Sequence, residues 1–150
     1  MNEPLPTHDP VAAQQAIVEE FSLFPDWLDR YQYLIDLGRK LEPLDESERI
    51  DRHLLQGCQS RVWLLFDGGP QAVGIRANSD AAIVSGLIAL LIRVYSGSSA
   101  KDIVNTQPFF IEQLGLGQHL SPTRANGLRA MLDAIKGRAA QHLAGAADRE

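Results

Sequence analysis

The spacing of apolar residues predicts two helices in the first third of the chain. Asp9 followed by Pro10 is typical of a helix start, with Asp as the N-cap and Pro at the first helical position. This helix is predicted to end at Pro25, and a second one runs from Asp26 to just before Pro43, because proline cannot continue a helix. The residues that share the apolar helical faces are Ile17, Val18, Phe21, Trp27, Tyr31, Leu34, Ile35, Gly38 and Leu41.

The middle of the chain has the alternation that is typical of strands. A charged segment without periodicity, residues 44–52, comes first and is predicted to be a surface loop. Residues 53–56 are predicted to form a short strand, and residues 60–66 form the clearest strand of the chain. Residues 71–77 are its expected hairpin partner, across a turn at 67–70 that contains two glycines and a proline.

The second half of the chain returns to helical spacing. The segment from Asp80 to about Tyr95 is apolar on nearly every side, which predicts a central buried helix after the cap candidates Asn78 and Ser79. Helices, a small strand cluster and further helices predict an α+β fold, in which helices cover a small antiparallel sheet. The other predicted helices cover residues 99–104, residues 108–114 and a long segment from Ser121 that buries Leu128, Met131, Leu132, Ile135 and Ala139.

Length and charge narrow the class of protein. We expect a single domain over residues 1–150, with residues 1–20 as a candidate N-terminal extension and fraying of the tail from residue 145. A chain of this size buries roughly two-thirds of its unfolded surface, so it needs no disulfide or metal to fold. The net charge of −5 and the lack of a basic run argue against nucleic acid as a partner.

The sequence predicts neither secretion nor contact with a membrane. Residues 1–9 are polar and contain proline, unlike the basic and then apolar order of a signal peptide. The longest apolar run, residues 81–92, is shorter than the roughly 20 residues that cross a bilayer. A single cysteine cannot form an internal disulfide, so no secreted disulfide framework is expected. We therefore expect a soluble, cytoplasmic protein.

The only cysteine, Cys58, is the strongest candidate for chemistry. It follows Gly57, which permits a turn or a close approach because glycine tolerates positive φ, and it precedes the clearest predicted strand. Its neighbours Gln56, Gln59 and Ser60 are polar, unlike the usual surroundings of a core cysteine. Free cysteine is nevertheless among the most buried residue types, so a structural or incidental role stays open.

Two other kinds of thiol site find less support. A metal site would draw on Cys58 and His53, but the chain has no CxxC or HxxxH spacing to complete the ligands. A cysteine–histidine hydrolase would need His53 or His119 at the thiol, with Asp51 or Asn78 to orient it. Nothing in the spacing requires such a triad, and His119 is more simply a capping or packing residue ahead of a helix.

Three separated blocks of the sequence resemble the SufE family, which includes the CsdE branch. The first runs from Gln56 to Trp63 (QGCQSRVW) and is similar to the cysteine motif of that family. Residues 79–89 resemble its central helix, and residues 118–128 resemble the start of its last helix. The blocks keep the family's order and spacing, and the similarity extends from about Phe21 to the end of the last helix.

The resemblance implies a compact α+β fold shared with the IscU-type iron–sulfur scaffolds. It also implies that Cys58 accepts persulfide sulfur from a PLP-dependent cysteine desulfurase of the SufS or CsdA type and stimulates that enzyme. The sulfur would pass to a downstream scaffold for iron–sulfur cluster assembly. Because IscU-type scaffolds carry several cysteine ligands and this chain has one, we expect it to hold no cluster, no metal and no cofactor of its own, with PLP bound by the partner.

Four residues are candidates for supporting the thiol. Arg61 is close in sequence and would stabilise a thiolate or persulfide anion, unless it is a solvated strand residue. Arg124, one turn into the last helix, comes near Cys58 only by the resemblance. Asp80 is most simply an acid in the first turn of a helix, and otherwise holds the cysteine loop or docks the partner; His119 is the fourth. The candidates for docking the partner are Gln56, Gly57, Gln59 and Ser60.

Two rival hypotheses remain beside sulfur transfer. One is a thiol-dependent hydrolase or peroxidase that turns over a small substrate without a partner. The other is a non-catalytic interaction domain in which Cys58 is incidental. The mass of the Cys58 peptide after incubation with a desulfurase would separate the three.

Overall fold

The computed structural model describes residues 8–148, with side chains described for residues 8–145. This part of the chain confirms the predicted α+β class, because helices surround one small antiparallel sheet. No helix in it is both long enough and apolar enough to cross a membrane. In chain order the elements are α1 (Pro10–Ser22), α2 (Trp27–Arg39), a 3₁₀ helix (Asp51–His53), β1 (Val62–Gly69), β2 (Ala72–Ser79), α3 (Ala82–Tyr95), α4 (Ala100–Asn105), α5 (Phe109–Leu114), α6 (Leu116–His119) and α7 (Pro122–Asp148).

Helix α1 begins as predicted and packs into the core. The Asp9 carboxylate accepts hydrogen bonds from two backbone N–H groups of the first turn, at 2.9 and 3.2 Å. Ile17 and Phe21 are fully buried. The buried Gln14 side chain donates to the carbonyl of Gln107 and accepts from the N–H of Phe110, both at 3.1 Å. Part of the candidate extension therefore belongs to the folded core, while residues 1–7 lie outside the described residues.

Helices α2 and α3 cross in close contact at two glycines. A Cβ on Gly86 would lie 2.2 Å from the backbone oxygen of Leu34. A Cβ on Gly38 would lie 2.7 Å from the backbone nitrogen of Gly86. Both distances are far shorter than van der Waals contact, so only glycine lets the two backbones approach this closely. Leu34, on the predicted apolar face of α2, is fully buried beside this crossing.

The hairpin forms as predicted, but its turn is shorter. Strands β1 and β2 pair antiparallel, with Val62 opposite Ser79 and Gly69 opposite Ala72. The turn consists of residues 70 and 71, because the two glycines predicted to belong to the turn extend β1 instead. The core side of β2 was predicted correctly, with Val73, Ile75 and Ala77 buried.

The strand predicted at residues 53–56 is wrong. Asp51–His53 form the 3₁₀ helix, and Leu54 makes only an isolated bridge to Trp63. The bend at Gly57 turns the chain before a third strand can extend along β1.

The start predicted for the central helix is also wrong, since α3 begins at Ala82 and not at Asp80. The predicted cap side chains bind other segments. The Asn78 side chain accepts from the N–H of Leu44 at 2.8 Å, and the Asp80 carboxylate accepts from the N–H of Arg61 at 3.1 Å. Asp80 is therefore not an acid in the first turn of a helix. Such short polar side chains often bind nearby backbone instead of capping a helix.

The remaining helices follow the predicted pattern closely. Ser99 caps α4 by accepting from the N–H of Asp102 at 3.1 Å, and α5 ends at Gly115 with a φ of +74°. The one-turn helix α6 was not predicted. Helix α7 continues to Asp148, and fraying of the tail from residue 145 stays a prediction. Its buried residues are those of the predicted stripe, Leu128, Met131, Ile135 and Ala139, with Leu132 half-buried.

Candidate functional site

The candidate site is the bend that carries Cys58, directly before β1. Gly57 has a φ of +94°, in the left-handed region that favours glycine. The preceding segment is tied to the hairpin, because the N–H of Leu55 donates to the carbonyl of Val62 at 2.9 Å. The chain reverses between these points and places the Cys58 thiol against α7, where it approaches a backbone carbonyl.

The thiol lies in a small pocket between the bend, α3 and α7. The pocket has a volume of about 20 Å³ and joins an apolar interior to a polar rim. Cys58 itself is half-buried. The inner side of the pocket is apolar, but the bend beside the thiol is exposed, so the thiol is sheltered without belonging to the deep core. The other lining residues are Gln59, Ser60, Val84, Leu87, Arg124, Gly127, Leu128 and Met131.

Burial raises the pKa of the Cys58 thiol above its usual range, because the thiolate loses hydration in the pocket. The Sγ atom lies 3.8 Å from the carbonyl oxygen of Gly127, which is the range of a weak S–H hydrogen bond. Both features favour the neutral thiol in this arrangement. At neutral pH the described geometry therefore holds a protonated sulfur.

Gly127 gives the thiol its place on α7, and the sequence analysis did not select it as a site residue. A Cβ on Gly127 would lie 3.6 Å from the Sγ of Cys58, in ordinary van der Waals contact. A glycine inside a helix costs about 1 kcal/mol relative to alanine, so it often has a packing or functional reason. That unexplained glycine within a predicted helix was the available signal.

The structure brings Arg124 to the pocket and leaves Arg61 out of its lining. Arg124 lies in the first turn of α7, where its N–H donates to the Ser121 hydroxyl at 3.3 Å. Both arginine side chains are exposed, and neither forms an ion pair within the described part of the chain. Arg124 thus borders the space beside the sulfur, whereas Arg61 is a solvated residue just before β1.

Asp80 joins the far end of the cysteine bend to the start of α3. Its carboxylate accepts from the N–H of Arg61 at 3.1 Å, and its own N–H lies 3.4 Å from the carbonyl oxygen of Arg61. Arg61 is only three residues after Cys58. Of the roles considered for Asp80, this geometry favours holding the cysteine loop.

The two candidate histidines do not line the thiol pocket. His119 stacks on Trp27 with ring centroids 4.0 Å apart, and its Nδ1 lies 3.0 Å from the carbonyl oxygen of Gly115. His53 Nδ1 lies 2.7 Å from the carbonyl oxygen of Glu48. His119 therefore has the surroundings of a packing residue. Within residues 8–148, no group of three or more His, Cys, Asp or Glu side chains is arranged to hold a metal ion.

The docking candidates form one polar surface around the bend. Gln56, Gly57 and Gln59 are exposed, and Ser60 is half-buried. Gln59 and Ser60 also form part of the pocket rim. A partner that covered this surface would lie at the rim of the thiol pocket.

Fold and site together define a class: small α+β proteins that hold a single thiol on a glycine bend against a long helix. The model of the SufE domain, described as Fe–S metabolism associated, matches residues 15–139. The chain therefore belongs to the SufE family and is associated with iron–sulfur metabolism, which confirms the resemblance seen in the sequence.

A solved structure supports the fold independently. It is the solution structure of a hypothetical protein from Thermus thermophilus, which is 22% identical and superposes with a TM-score of 0.71. The match covers 88% of this chain and 96% of that one. At this level of identity the similarity bears on the fold alone.

Proposed function

We propose that Cys58 accepts persulfide sulfur from a PLP-dependent cysteine desulfurase, and that the chain stimulates this enzyme and relays the sulfur toward iron–sulfur cluster assembly. One observation carries the proposal. The only thiol of a SufE-family chain lies half-buried in a pocket the size of one atom, beside a glycine with positive φ. That setting suits a sulfur that is loaded, sheltered and then released.

The transfer is a displacement at sulfur. The Cys58 thiolate attacks the outer sulfur of a persulfide on the desulfurase cysteine, as in thiol–disulfide exchange. A bond forms between Cys58 Sγ and that sulfur, the old S–S bond breaks, and the partner's thiolate leaves with the electron pair. The sulfur moves without a change of oxidation state, so the step needs no outside oxidant or reductant.

The pocket supports storage of the acquired sulfur. A cavity needs roughly 10–15 Å³ to hold one water molecule, and this one, which Cys58 helps to line, has about 20 Å³. The outer sulfur of a persulfide is one atom, somewhat larger than a water oxygen. The aliphatic walls of the pocket would keep solvent reductants and oxidants from that sulfur between loading and delivery.

Positioning, rather than acidity, is the proposed source of speed. A thiol with an ordinary pKa near 8.5 is roughly one-tenth thiolate at pH 7.5, and burial lowers this fraction. A lower pKa in the docked complex would gain little more than about tenfold over an ordinary thiol. Effective molarities in oriented complexes reach far higher values. We propose that Gly57 is the hinge about which docking turns Cys58 out of its pocket.

The two arginines receive different proposed roles. Arg124 borders the pocket, and its proposed role is to stabilise the persulfide anion. Arg61 is exposed before β1 and is better suited to contact the partner, together with the polar bend. His119, stacked on Trp27, has no proposed chemical role.

The geometry does not favour a hydrolase or peroxidase that acts alone. Such an enzyme activates its thiol with an adjacent base or by a lowered pKa. Here neither His53 nor His119 lines the pocket, and burial raises the pKa of Cys58. We propose instead an activator that binds no cofactor of its own, works with a cytoplasmic desulfurase that holds PLP, and hands its sulfur to a scaffold protein.

The test combines this protein with a cysteine desulfurase, PLP and L-cysteine. We expect sulfide release to rise several-fold, and the Cys58 peptide to gain about 32 Da that excess thiol removes, which separates a persulfide from a sulfinic acid of similar mass. With Cys58→Ser the rate should fall to that of the desulfurase alone. Stimulation of normal size by Cys58→Ser would contradict relay through this thiol.

A matched control asks whether any exposed thiol would serve. Ser47 is exposed on the segment before the 3₁₀ helix and does not line the thiol pocket. Ser47→Cys, made in the Cys58→Ser background, supplies one thiol outside the pocket. We expect it to restore no stimulation. Full restoration would show that the pocket is dispensable.

A further inference from the structure

Met131 separates the thiol pocket from a second apolar pocket. It is buried at 2% exposure, and among the described residues it alone lines both spaces. The second pocket has a volume of about 10 Å³ and lies between the core side of the hairpin, α3 and α7. Its other lining residues are Leu64, Ile75, Ala77, Ile88, Leu91, Ile92 and Ile135. Met131 therefore borders both spaces with a flexible thioether side chain.

The size of the thiol pocket matters because a persulfide is itself a nucleophile. Its outer sulfur can attack another persulfide on the desulfurase, which forms a new S–S bond and expels the partner's thiolate with the electron pair. The product on Cys58 then carries two added sulfurs, with no change in overall oxidation state. Repeated transfer would lengthen the chain further unless something limited it.

We infer that Met131 limits Cys58 to one added sulfur, an inference that rests on the proposed sulfur-acceptor function. The pocket of about 20 Å³ has room for about one added atom, and Met131 lines both it and the second space, so a longer sulfur chain could return to the pocket only if that side chain were shortened. The second space of about 10 Å³ lies beyond it. Met131 is therefore a specificity-determining residue for the length of the sulfur chain.

The experiment measures the distribution of added sulfurs on Cys58. The full-length chain is loaded with a cysteine desulfurase, PLP and L-cysteine, alkylated, and analysed by mass spectrometry of the Cys58 peptide. The wild type should show mainly one added sulfur, about 32 Da. Met131→Ala joins the two pockets and should raise the share of peptides with two or more added sulfurs at least several-fold. Met131→Val removes less bulk and should raise it by a smaller amount.

Two further variants test whether longer sulfur chains result from the loss of the Met131 side chain or from a general loosening of the core. Met131→Leu keeps the bulk and should return the distribution to one sulfur. Ile135→Ala lies one turn further along α7 and lines only the second pocket, so it enlarges that space behind an intact Met131. It should stay at one sulfur. Longer chains in Ile135→Ala as in Met131→Ala would overturn the inference.

The remaining outcomes separate a failure of the limiting role of Met131 from a failure of the proposed sulfur-acceptor function. If wild type and both shortened variants, Met131→Ala and Met131→Val, carry one removable sulfur in equal measure, the sulfur-acceptor function stands and the limiting role of Met131 is wrong. If the wild type itself carries mostly longer chains, the limit does not exist. If no removable sulfur appears on Cys58 in the wild type, the proposed function fails, and the inference with it.

Discussion

Two pairs of glycines in this molecule serve opposite purposes. At the crossing of α2 and α3, Gly38 and Gly86 let two helix backbones touch. At the cysteine bend, Gly57 supplies a left-handed turn and Gly127 leaves space beside a sulfur. The first pair brings two helix backbones together, and the second shapes the bend and the space around the thiol.

The distances show how different the consequences of a methyl group are. A Cβ on Gly86 would lie 2.2 Å from a backbone oxygen of α2, and backbone cannot move aside without shifting the helix. A Cβ on Gly127 would lie 3.6 Å from the Cys58 sulfur, which is ordinary contact. The fold therefore requires glycine at the crossing, whereas at Gly127 the fold would accept alanine, and the expected cost is to the proposed chemistry.

The largest expected effect is on folding at the helix crossing. Overpacking a core typically costs about 1–3 kcal/mol, and we expect Gly86→Ala to cost about 3 kcal/mol or more because the clash is with backbone. Urea unfolding monitored by circular dichroism measures it. Gly137→Ala is the matched control, since its Cβ would meet nothing within 4 Å in α7, and it should be neutral or up to about 1 kcal/mol stabilising. Equal stability of Gly86→Ala and Gly137→Ala would contradict the requirement for glycine at the helix crossing.

A functional effect without loss of stability is expected at Gly127. Gly127→Ala should unfold at the same urea concentration as the wild type or a higher one, because alanine favours the helix by up to about 1 kcal/mol. The added methyl narrows the pocket at the sulfur, so we expect sulfur loading of Cys58 and desulfurase stimulation to fall several-fold. Gly137→Ala again provides the control and should stimulate normally. If Gly127→Ala were destabilised but still loaded sulfur normally, Gly127 would be needed for the fold and not for sulfur transfer.

The smallest effect is expected from loosening the bend at Asp80. Asp80→Ala removes the hydrogen bond to the Arg61 N–H and should cost about 1 kcal/mol or less, because that bond is exposed. Burial raises the pKa of Cys58, so thiolate appears, and alkylation speeds up, at higher pH than for an ordinary thiol. A looser bend hydrates the thiol, so we expect faster alkylation at about pH 7.5 and a midpoint at lower pH.

The pH profile of iodoacetamide alkylation tests this prediction. Asp133→Ala, an exposed position of α7, is the control and should keep the wild-type profile. Identical profiles for wild type and Asp80→Ala would show that this hydrogen bond does not hold the thiol in its pocket. The profile should disappear in Cys58→Ser, because the chain has no other cysteine.

The sequence predicted well wherever local chemistry decides the structure. The Asp9–Pro10 start of α1, the Ser99 cap of α4 and the end of α5 at Gly115 depend on residues within one turn. The side of β2 that faces the core follows from strict alternation. One prediction failed because a side chain had two possible partners. Asp80 was expected to begin a helix, yet its carboxylate binds a backbone group nineteen residues earlier.

At the candidate site, too, local features could be predicted from the sequence and long-range contacts could not. Its composition singles out Cys58 as the one thiol, and the motif around it matches a family of known character. Which residues surround the thiol could not be predicted, because Val84, Leu87, Gly127 and Met131 are distant in sequence. Arg61, only three residues away, lies outside the pocket lining, while Arg124 borders it.

The sequence by itself determined most of the helices, the hairpin and the identity of the one thiol sulfur atom, since these depend on composition and on neighbours along the chain. Only the tertiary structure decided how deeply that atom is sheltered, which helix shelters it and how much room is left beside it. Burial, pKa and cavity volume arise when distant segments pack together. No local pattern of residues contains them.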